Sequence, residues 1–283
     1  MKISINGKVA DITLDTEKTL GDVLSGIEMW ISPVRSRIRS IRVDGQTLVD
    51  NDLTKAFDRE IQKIAKLDLD VCSWRELAAE AMGALLDTCK LYMNAPFEER
   101  SRITTDWEKS SAARFLASDI SDLGTLSGHT FSGEGLSAAD LVILTEERFR
   151  EISEPRLEIS ACGALVQNIA ARMEEFPLDI QTGKDQHAAE TLQLFARAGE
   201  KLFRIFLILE LEGLSLDNFN IDNVTARIFI DEFNAALREL AASFENKDTV
   251  LTGDIAEYEL APRLLKFYKA LKELTESHYP VMQ

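Results

Sequence analysis

The chain has 283 residues, of which 45% are hydrophobic and 28% are charged. This length predicts one large or two modest domains with ample residues to bury a core, and the composition excludes an intrinsically disordered chain. The net charge of -16 argues against a nucleic-acid-binding surface, which needs clustered basic residues, and against attraction to anionic lipid. We therefore expect neither nucleic acid nor membrane insertion.

The expected compartment is the cytoplasm. The first residues contain no apolar signal-peptide core, and the most apolar run, Leu202 to Leu211, is far shorter than the ~20 residues that a membrane span requires. Cys72, Cys89 and Cys162 are widely separated and odd in number. That usage is typical of buried free thiols in a reducing compartment and not of a disulfide framework.

Charge and hydrophobic period both change near residue 72. Residues 1 to 71 carry 11 basic and 12 acidic side chains, whereas residues 72 to 283 carry 21 and 36. The apolar spacing changes at the same place from strand-like alternation to a helical period. We therefore predict two domains, over residues 1–71 and 72–283.

Two short strands are predicted at the start of the chain, over residues 2–5 and 9–14. Asn6-Gly7 lies between them, and this dipeptide favours the positive φ angles of a type I′ hairpin turn. A helix follows, because Thr19 and Asp22 have the spacing of a capping box. The remaining elements are predicted from alternation and turn signals: a helix end at Pro33, a strand at 38–43, a turn at Asp44-Gly45, a short strand at 46–48, a helical turn at 53–57 and a strand at 61–71.

This element order resembles the ubiquitin-like β-grasp, in which a mixed sheet wraps one helix. The resemblance covers residues 1–71 and is carried by Asn6-Gly7, Thr19-Leu20-Gly21-Asp22 and Val43-Asp44-Gly45-Gln46-Thr47-Leu48. It implies binding instead of catalysis. Modifiers and sulfur carriers of this superfamily end in Gly-Gly, whereas Leu69-Asp70-Val71-Cys72 continues into more protein. An embedded adaptor domain, or a cap on the helical part, is therefore expected.

A dense basic cluster stands out in this first segment. It contains Arg35, Arg37, Arg39 and Arg42. Guanidinium groups bind carboxylate or phosphate bidentately, which makes these residues candidates for partner binding. The same pattern also fits a solvated strand edge, or a surface that faces the acidic residues of the same chain.

Beyond residue 72 the apolar period is helical, with repeated start and stop signals. The first four predicted helices cover residues 73–93, 137–153, 155–174 and 185–212. The first begins with the capping box Ser73-x-x-Glu76, and Phe176-Pro177 closes the third. A fifth helix is capped by Asp222 or Asn223, and a last helix begins at Asp254 and is kinked, or begun, by Pro262. Helices of this length with short connections predict an antiparallel bundle. The expected fold class is α+β, with an N-terminal β-grasp domain followed by a larger all-α bundle.

One stretch between the predicted helices, residues 123–136, is rich in Gly and Ser. It is predicted to be a mobile loop, which is either a plain surface connection or a place where function is located. Ser127, His129 and Ser132 are its candidate partner-binding residues.

No motif for chemistry is found. His129, His187 and His278 lack the spacing of a metal site, and no C-x-x-C, nucleophile elbow or phosphate-binding glycine motif is present. We expect no catalytic, cofactor-binding or metal-binding residues and no cofactor. Trp30 is predicted to fill the core, and Trp74 to pack the two segments together.

Three functions remain open. The favoured one is a cytoplasmic protein-interaction module, acting as an adaptor, regulatory or chaperone-like factor without catalytic activity, whose protein partner is expected to be basic. The alternative is an enzyme with a pocket between helices that uses His129 or His187. A further alternative is an export chaperone that binds an amphipathic helix of a secreted or surface-assembled protein. The oligomeric state stays open.

Overall fold

The computed structural model describes residues 1–14, 16–215 and 217–278. Within them the chain is α+β, with a mixed sheet near the N-terminus followed by a helical remainder. It divides into two compact units, Met1–Glu146 and Glu147–Gln283. None of the helices in the described part is long and apolar enough to cross a membrane.

The mixed sheet is built from residues 1–73. Its elements are β1 (Lys2–Ile5), β2 (Lys8–Val9), α1 (Leu20–Ile31), β3 (Ser36–Val43), β4 (Gln46–Thr47), α2 (Asp50–Phe57) and β5 (Lys66–Ser73), with 3₁₀ turns at Ser32–Val34 and Ile61–Lys63. The strands pair in the order β2-β1-β5-β3-β4, with β1 parallel to β5 and the other neighbours antiparallel.

Local sequence signals account for these elements. Asn6 and Gly7 have φ angles of 50° and 76°, as a type I′ turn requires, and they join β1 to β2. Thr19 and Asp22 form the predicted capping box at the start of α1, in which each side chain accepts a hydrogen bond from the other residue's backbone N–H. The predicted hairpin turn and helix start are both confirmed.

The sheet and one face of α1 enclose the core of this region. The buried side chains of that core are Ile3, Leu20, Val23, Leu24, Ile27, Ile31, Val43, Ile64, Leu67 and Leu69. Trp30 is outside it and is 68% exposed, so its predicted place in the core is wrong. The helical face that meets the sheet is already filled by aliphatic residues. Two strands are also shorter than predicted, because β2 ends at Val9 and β5 begins only at Lys66.

Helices follow the sheet directly. They are α3 (Trp74–Asn94), α4 (Phe97–Glu108), α5 (Ser111–Asp119), α6 (Ser121–Ser132) and α7 (Ala138–Ser153). Ser73 and Glu76 form the predicted capping box of α3, so strand β5 passes straight into helix. Trp74 is buried, with its ring 6.4 Å from that of Phe115. The predicted boundary near residue 71 lies inside β5 and stays a prediction.

The Gly/Ser-rich stretch is mostly a helix, so the predicted loop over residues 123–136 is wrong. Residues up to Ser132 belong to α6, and Gly133, with φ 83°, ends it. Gly124 is needed for packing, because a Cβ there would lie 2.7 Å from the Ala117 Cα of α5. Small residues here allow two helices to approach closely, which outweighs the low intrinsic helix propensity of glycine.

The second unit is mainly helical. After the end of α7 its elements are α8 (Pro155–Ala161), α9 (Gly163–Gln181), α10 (Asp185–Leu211), β6 (Asn220–Ile221), β7 (Val224–Thr225), α11 (Ala226–Glu245), α12 (Thr249–Asp254), a π-helical segment (Ile255–Leu260) and α13 (Ala261–His278). Its core is rich in buried phenylalanine. The largest of these fully buried side chains are Phe176, Phe206, Phe233 and Phe267.

Helix α9 continues past Pro177, where a helix end was predicted. Pro177 lies within the last two turns of α9, where the loss of one backbone hydrogen bond is offset by tertiary packing. That packing is close, because a Cβ added at Gly253 would lie 2.9 Å from the Pro177 Cβ.

The predicted cap of α11 is also wrong. Asp222 and Asn223 have φ angles of 52° and 69° and form the turn of the β6–β7 hairpin instead. Thr225 caps α11, and its side chain accepts a hydrogen bond from the Ile228 N–H.

The last helical stretch begins before the predicted Asp254. Asp248 caps α12, and its carboxylate accepts a hydrogen bond from the Leu251 N–H. The chain then passes through the π-helical segment into α13, which contains Pro262 near its start. Because proline has no N–H to donate, a wider helical turn before it accommodates the missing bond.

Candidate functional site

Two of the four clustered arginines are held by helices of the same unit. Arg37 donates from Nη2 to Asp119 Oδ1 at 2.6 Å and from Nη1 to Asp119 Oδ2 at 3.2 Å, and its guanidinium lies 6.0 Å from the Phe115 ring centroid. Arg39 Nη2 is 2.8 Å from Glu80 Oε1. These contacts neutralise both charges and join the sheet to α5 and α3.

The other two arginines, Arg35 and Arg42, lie on exposed surface. Arg35 follows the 3₁₀ turn with φ 50°. Arg42 lies near Asp68, whose pKa is held below its usual range by hydrogen bonds from Lys66 and Ser4 and further by the charge of Arg42. Because Arg37 and Arg39 are already paired with carboxylates, the four arginines do not form one free anion-binding site.

The Gly/Ser-rich candidates point in different directions from α6. Ser127 is buried, where its hydroxyl accepts a hydrogen bond from Trp107 Nε1 at 3.3 Å and donates to the Gly124 carbonyl at 2.8 Å. It is therefore not accessible to a partner. His129 and Ser132 are exposed, and the Ser132 hydroxyl donates to the His129 carbonyl at 3.0 Å.

His187, the second-unit candidate of the alternative enzyme hypothesis, is hydrogen-bonded to a buried carboxylate. His187 Nδ1 is hydrogen-bonded to Asp179 Oδ2, and Lys184 Nζ lies 3.3 Å from Asp179 Oδ1. The His187 hydrogen bond and, after it, the Lys184 bond hold the pKa of Asp179 below its usual range. The site is an open surface depression at the α9–α10 connection and not the inter-helix pocket that was expected.

A buried ionic cluster joins α7, α8 and α10. Glu151 is completely buried and accepts hydrogen bonds from Arg204 at 2.8 and 2.9 Å. Lys201 Nζ donates to Glu158 at 2.7 Å and to Glu147 at 3.2 Å. Every one of these charges has an opposite partner, so the removal of one partner would leave a buried charge uncompensated. None of these charges is left unpaired for a ligand.

The surface that best fits a partner is a groove of about 520 Å³ between α11 and the α12–π-helical stretch. We call it the acidic groove. It is lined by Glu232, Ala235, Ala236, Glu239, Leu251, Asp254, Ile255, Tyr258, Glu259 and Arg263. On α11 the lining positions recur at the three- and four-residue spacing of one helical face.

The acidic groove combines unneutralised charge with exposed apolar surface. Arg263 forms ion pairs with Glu232 and Glu259, whereas Glu239 and Asp254 have no ion pair with any residue that the structure describes. Leu251 is 39% exposed and Tyr258 64% exposed.

Tyr258 is also the aromatic group of this surface. A hydrogen bond with Glu257 and, after it, the charges of Glu257 and Asp254 raise the pKa of Tyr258 above its usual value. Tyr258 thus stays a neutral phenol that presents an apolar ring and a polar end to a partner.

Sequence reasoning missed this groove. Glu232 and Glu239 lie seven residues apart on α11, beside the stripe that contains Phe229 and Phe233, so an acidic helical face was visible in the sequence. The second wall was not visible, because the π-helical segment shifts the residues after Asp254 out of a regular helical pattern.

Comparisons with known proteins find two family models that match separate ranges of the chain, and one relative that matches most of it. One family model, described as the TP0873 N-terminal domain, matches residues 1–73, and a second, a domain of unknown function (DUF8042), matches residues 159–270. An uncharacterized protein from Treponema pallidum (strain Nichols) is 22% identical over 262 residues, which cover 93% of this chain and 92% of that protein. No solved structure matches. The second matched range includes the acidic groove.

Proposed function

We propose that this protein is a cytoplasmic interaction module without catalytic activity, and that its acidic groove binds a basic, amphipathic helical segment of a partner protein. One observation carries the proposal: the carboxylates of Glu239 and Asp254, unpaired among the described residues, flank the exposed side chains of Leu251 and Tyr258. A surface kept acidic only for solubility does not need large apolar side chains beside its charges.

The shape of the acidic groove favours a helix as occupant. Two neighbouring helical stretches form its walls, and small residues, Ala235 and Ala236, form part of the α11 side. A groove of this kind takes the apolar face of an amphipathic helix, with anchors spaced three or four residues apart. Tyrosine is a frequent anchor of such interfaces, and Tyr258 lines the groove with an exposed side chain.

The charge favours a basic occupant. The groove contains four carboxylates and one guanidinium. Basic residues on the partner would reach unpaired carboxylates without displacing an existing ion pair, and the field of an acidic chain would steer them in. An acidic or neutral helix would gain only the apolar contact.

We further propose that residues 1–73 are a β-grasp domain that acts as an adaptor surface. The strand order β2-β1-β5-β3-β4, the parallel β1–β5 pair and the packing of α1 on the sheet support this assignment. The cytoplasmic location is supported by three buried, free cysteines, which suit a reducing compartment.

The proposal is tested with two synthetic helical peptides of the same leucine pattern, one with lysines and one with glutamates at the remaining positions. Fluorescence anisotropy of each labelled peptide with the full chain gives its dissociation constant. We expect the lysine peptide to bind at least ~10-fold more tightly at low salt, because steering and pairing act only on the basic peptide. The difference should shrink as salt screens the exposed charges.

Charge-reversal variants locate the binding surface. Glu239→Lys should weaken lysine-peptide binding by about 10-fold, a change of about 1.4 kcal/mol. Glu175→Lys changes the net charge equally but lies on an exposed face of α9 outside the groove. Equal losses in both variants would reduce the effect to overall charge and reject the acidic groove as the binding site.

A further inference from the structure

The His187–Asp179 pair has a chemical consequence that peptide binding does not use. Asp179 is only 4% exposed, whereas the His187 side chain is 45% exposed. Asp179 has a pKa below its usual range and is therefore an acceptor-only carboxylate at neutral pH. The Nδ1 atom of His187 must then carry the proton of their hydrogen bond, which leaves the lone pair of the neutral ring on Nε2.

The Nε2 atom of His187 has no hydrogen-bond partner among the described residues. A buried carboxylate that holds one ring nitrogen fixes the tautomer and the orientation of the imidazole ring. We infer that His187 is a phosphoryl-accepting histidine, with Nε2 as the nucleophile and Asp179 as its positioning residue.

The surroundings of His187 suit an incoming phosphoryl group. Helix α10 begins at Asp185, and its N-cap residue Lys184 provides no side-chain cap. The first three amides of α10, from Asp185 to His187, have no acceptor among the described residues, and these groups and the positive end of a 27-residue helix favour a dianion. Lys184 also lines this surface depression, where its Nζ is already paired with Asp179 at 3.3 Å.

Two acidic residues also line this depression. Glu190 is engaged by Gln186, whose Nε2 donates to Glu190 Oε1 at 3.2 Å. Asp185 lies in the first turn of α10, where the helix dipole favours its negative charge. These carboxylates oppose a free anion more than a covalent phosphoryl group, whose N–P bond supplies the attachment. The site is therefore assigned to modification and not to storage of free phosphate.

The transfer balances with a donor of the phosphoramidate class, such as a phosphohistidine on another protein. The Nε2 lone pair attacks phosphorus, the new N–P bond forms, and the donor's P–N bond breaks with its electron pair leaving on the donor nitrogen. No proton has to leave His187, since Nδ1–H is retained. The positive charge that develops on the ring is stabilised by the Asp179 carboxylate.

The test uses the full chain and potassium phosphoramidate, whose ammonium group leaves as ammonia. Peptide mapping by mass spectrometry follows each histidine with time, and ³¹P NMR identifies the modified ring nitrogen. His129 is an internal control, because it is exposed and its ring has no hydrogen bond to a described residue. We expect His187 to react about 10-fold faster than His129, with the phosphoryl group on Nε2.

The variant Asp179→Asn should reduce the ratio of the His187 rate to the His129 rate toward one, and circular dichroism checks that it folds. Since both rates are read in the same molecule, a general change in reactivity cancels. If Asp179→Asn does not fold, the wild-type ratio and the modified nitrogen decide by themselves. Equal rates at the two histidines, or modification of His187 at Nδ1, would overturn the inference.

Discussion

The arginine cluster of the N-terminal sheet and the acidic groove of the second unit are both concentrations of charge, and they differ in what neutralises them. Arg37 and Arg39 are paired with Asp119 and Glu80 of their own unit. Glu239 and Asp254 have no such partner among the described residues, and exposed apolar side chains lie beside them. Charge density in a sequence thus does not identify a binding surface. Charge without an internal partner is the better indicator, because only such charge gains by binding.

The Gly/Ser-rich stretch shows in the same way that glycine content in a sequence does not identify a mobile loop. Gly124, one of the glycines that suggest a mobile functional loop, is used in α6 for close helix packing. The groove, in contrast, is built from residues of ordinary helical composition.

The largest expected effect concerns the packing of α6 against α5. Gly124→Ala should destabilise the first unit by about 2 kcal/mol, because the new Cβ would meet the Ala117 backbone at 2.7 Å and backbone cannot yield cheaply. Gly128→Ala is the matched control on the same helix, and a Cβ there meets open space. It should stabilise by up to about 1 kcal/mol through the helix propensity of alanine. Urea denaturation measures both, and similar values would mean that residues 123–132 are not packed as a helix.

A smaller effect is expected when the paired arginines are truncated. Arg37→Ala removes two hydrogen bonds to a carboxylate that is only 10% exposed, and should cost about 1 kcal/mol, whereas Arg39→Ala removes a half-exposed pair and should cost less than about 0.5 kcal/mol. Neither should change lysine-peptide binding. If Arg37→Ala left stability unchanged but altered peptide affinity, the cluster would be a binding surface after all.

The smallest effect is expected for Asp44, at acid pH. The hydrogen bond from the Lys66 N–H, and after it the Ala65 N–H and Arg59, hold the pKa of Asp44 below its usual range, against the opposing effect of desolvation. A carboxyl group with a depressed folded-state pKa adds stability above its unfolded pKa of about 4, and that stability is lost as the pH falls through the folded value.

Asp44→Asn should therefore lose less stability than the wild type between about pH 4 and pH 2, since asparagine does not titrate and tolerates the φ of 50° at this position. The measurement is the urea midpoint as a function of pH. Asp11→Asn, at an exposed position in the segment after β2, is the control. Parallel pH curves for Asp44→Asn and the wild type would show that Asp44 contributes nothing to acid sensitivity.

Local signals predicted much of the fold. The capping boxes at Thr19 and Ser73, the Asn6-Gly7 turn and the start of α7 at Ser137 are correct, because each depends on hydrogen bonds or φ preferences within four residues. The order of strands and helices in residues 1–73 follows from the same signals.

The errors share one cause, which is that distant contacts outweigh local preference. Pro177 continues a helix that packs on Gly253, and Gly124 belongs to a helix that packs on α5. Trp30 is exposed because aliphatic residues of α1 already fill the face toward the sheet. Propensity gives only a weak prior where packing decides.

The amino-acid sequence by itself determined the α+β class, the helix and turn boundaries with strong local signals, and the acidic character of the chain. Tertiary structure alone decided which charges are neutralised, that His187 meets Asp179, and that α11 and the π-helical segment together form a groove. The physical reason is the separation along the chain of the residues that determine each feature. Caps and turns are settled within one turn of chain, whereas ion pairing, burial and grooves depend on residues that only folding brings together.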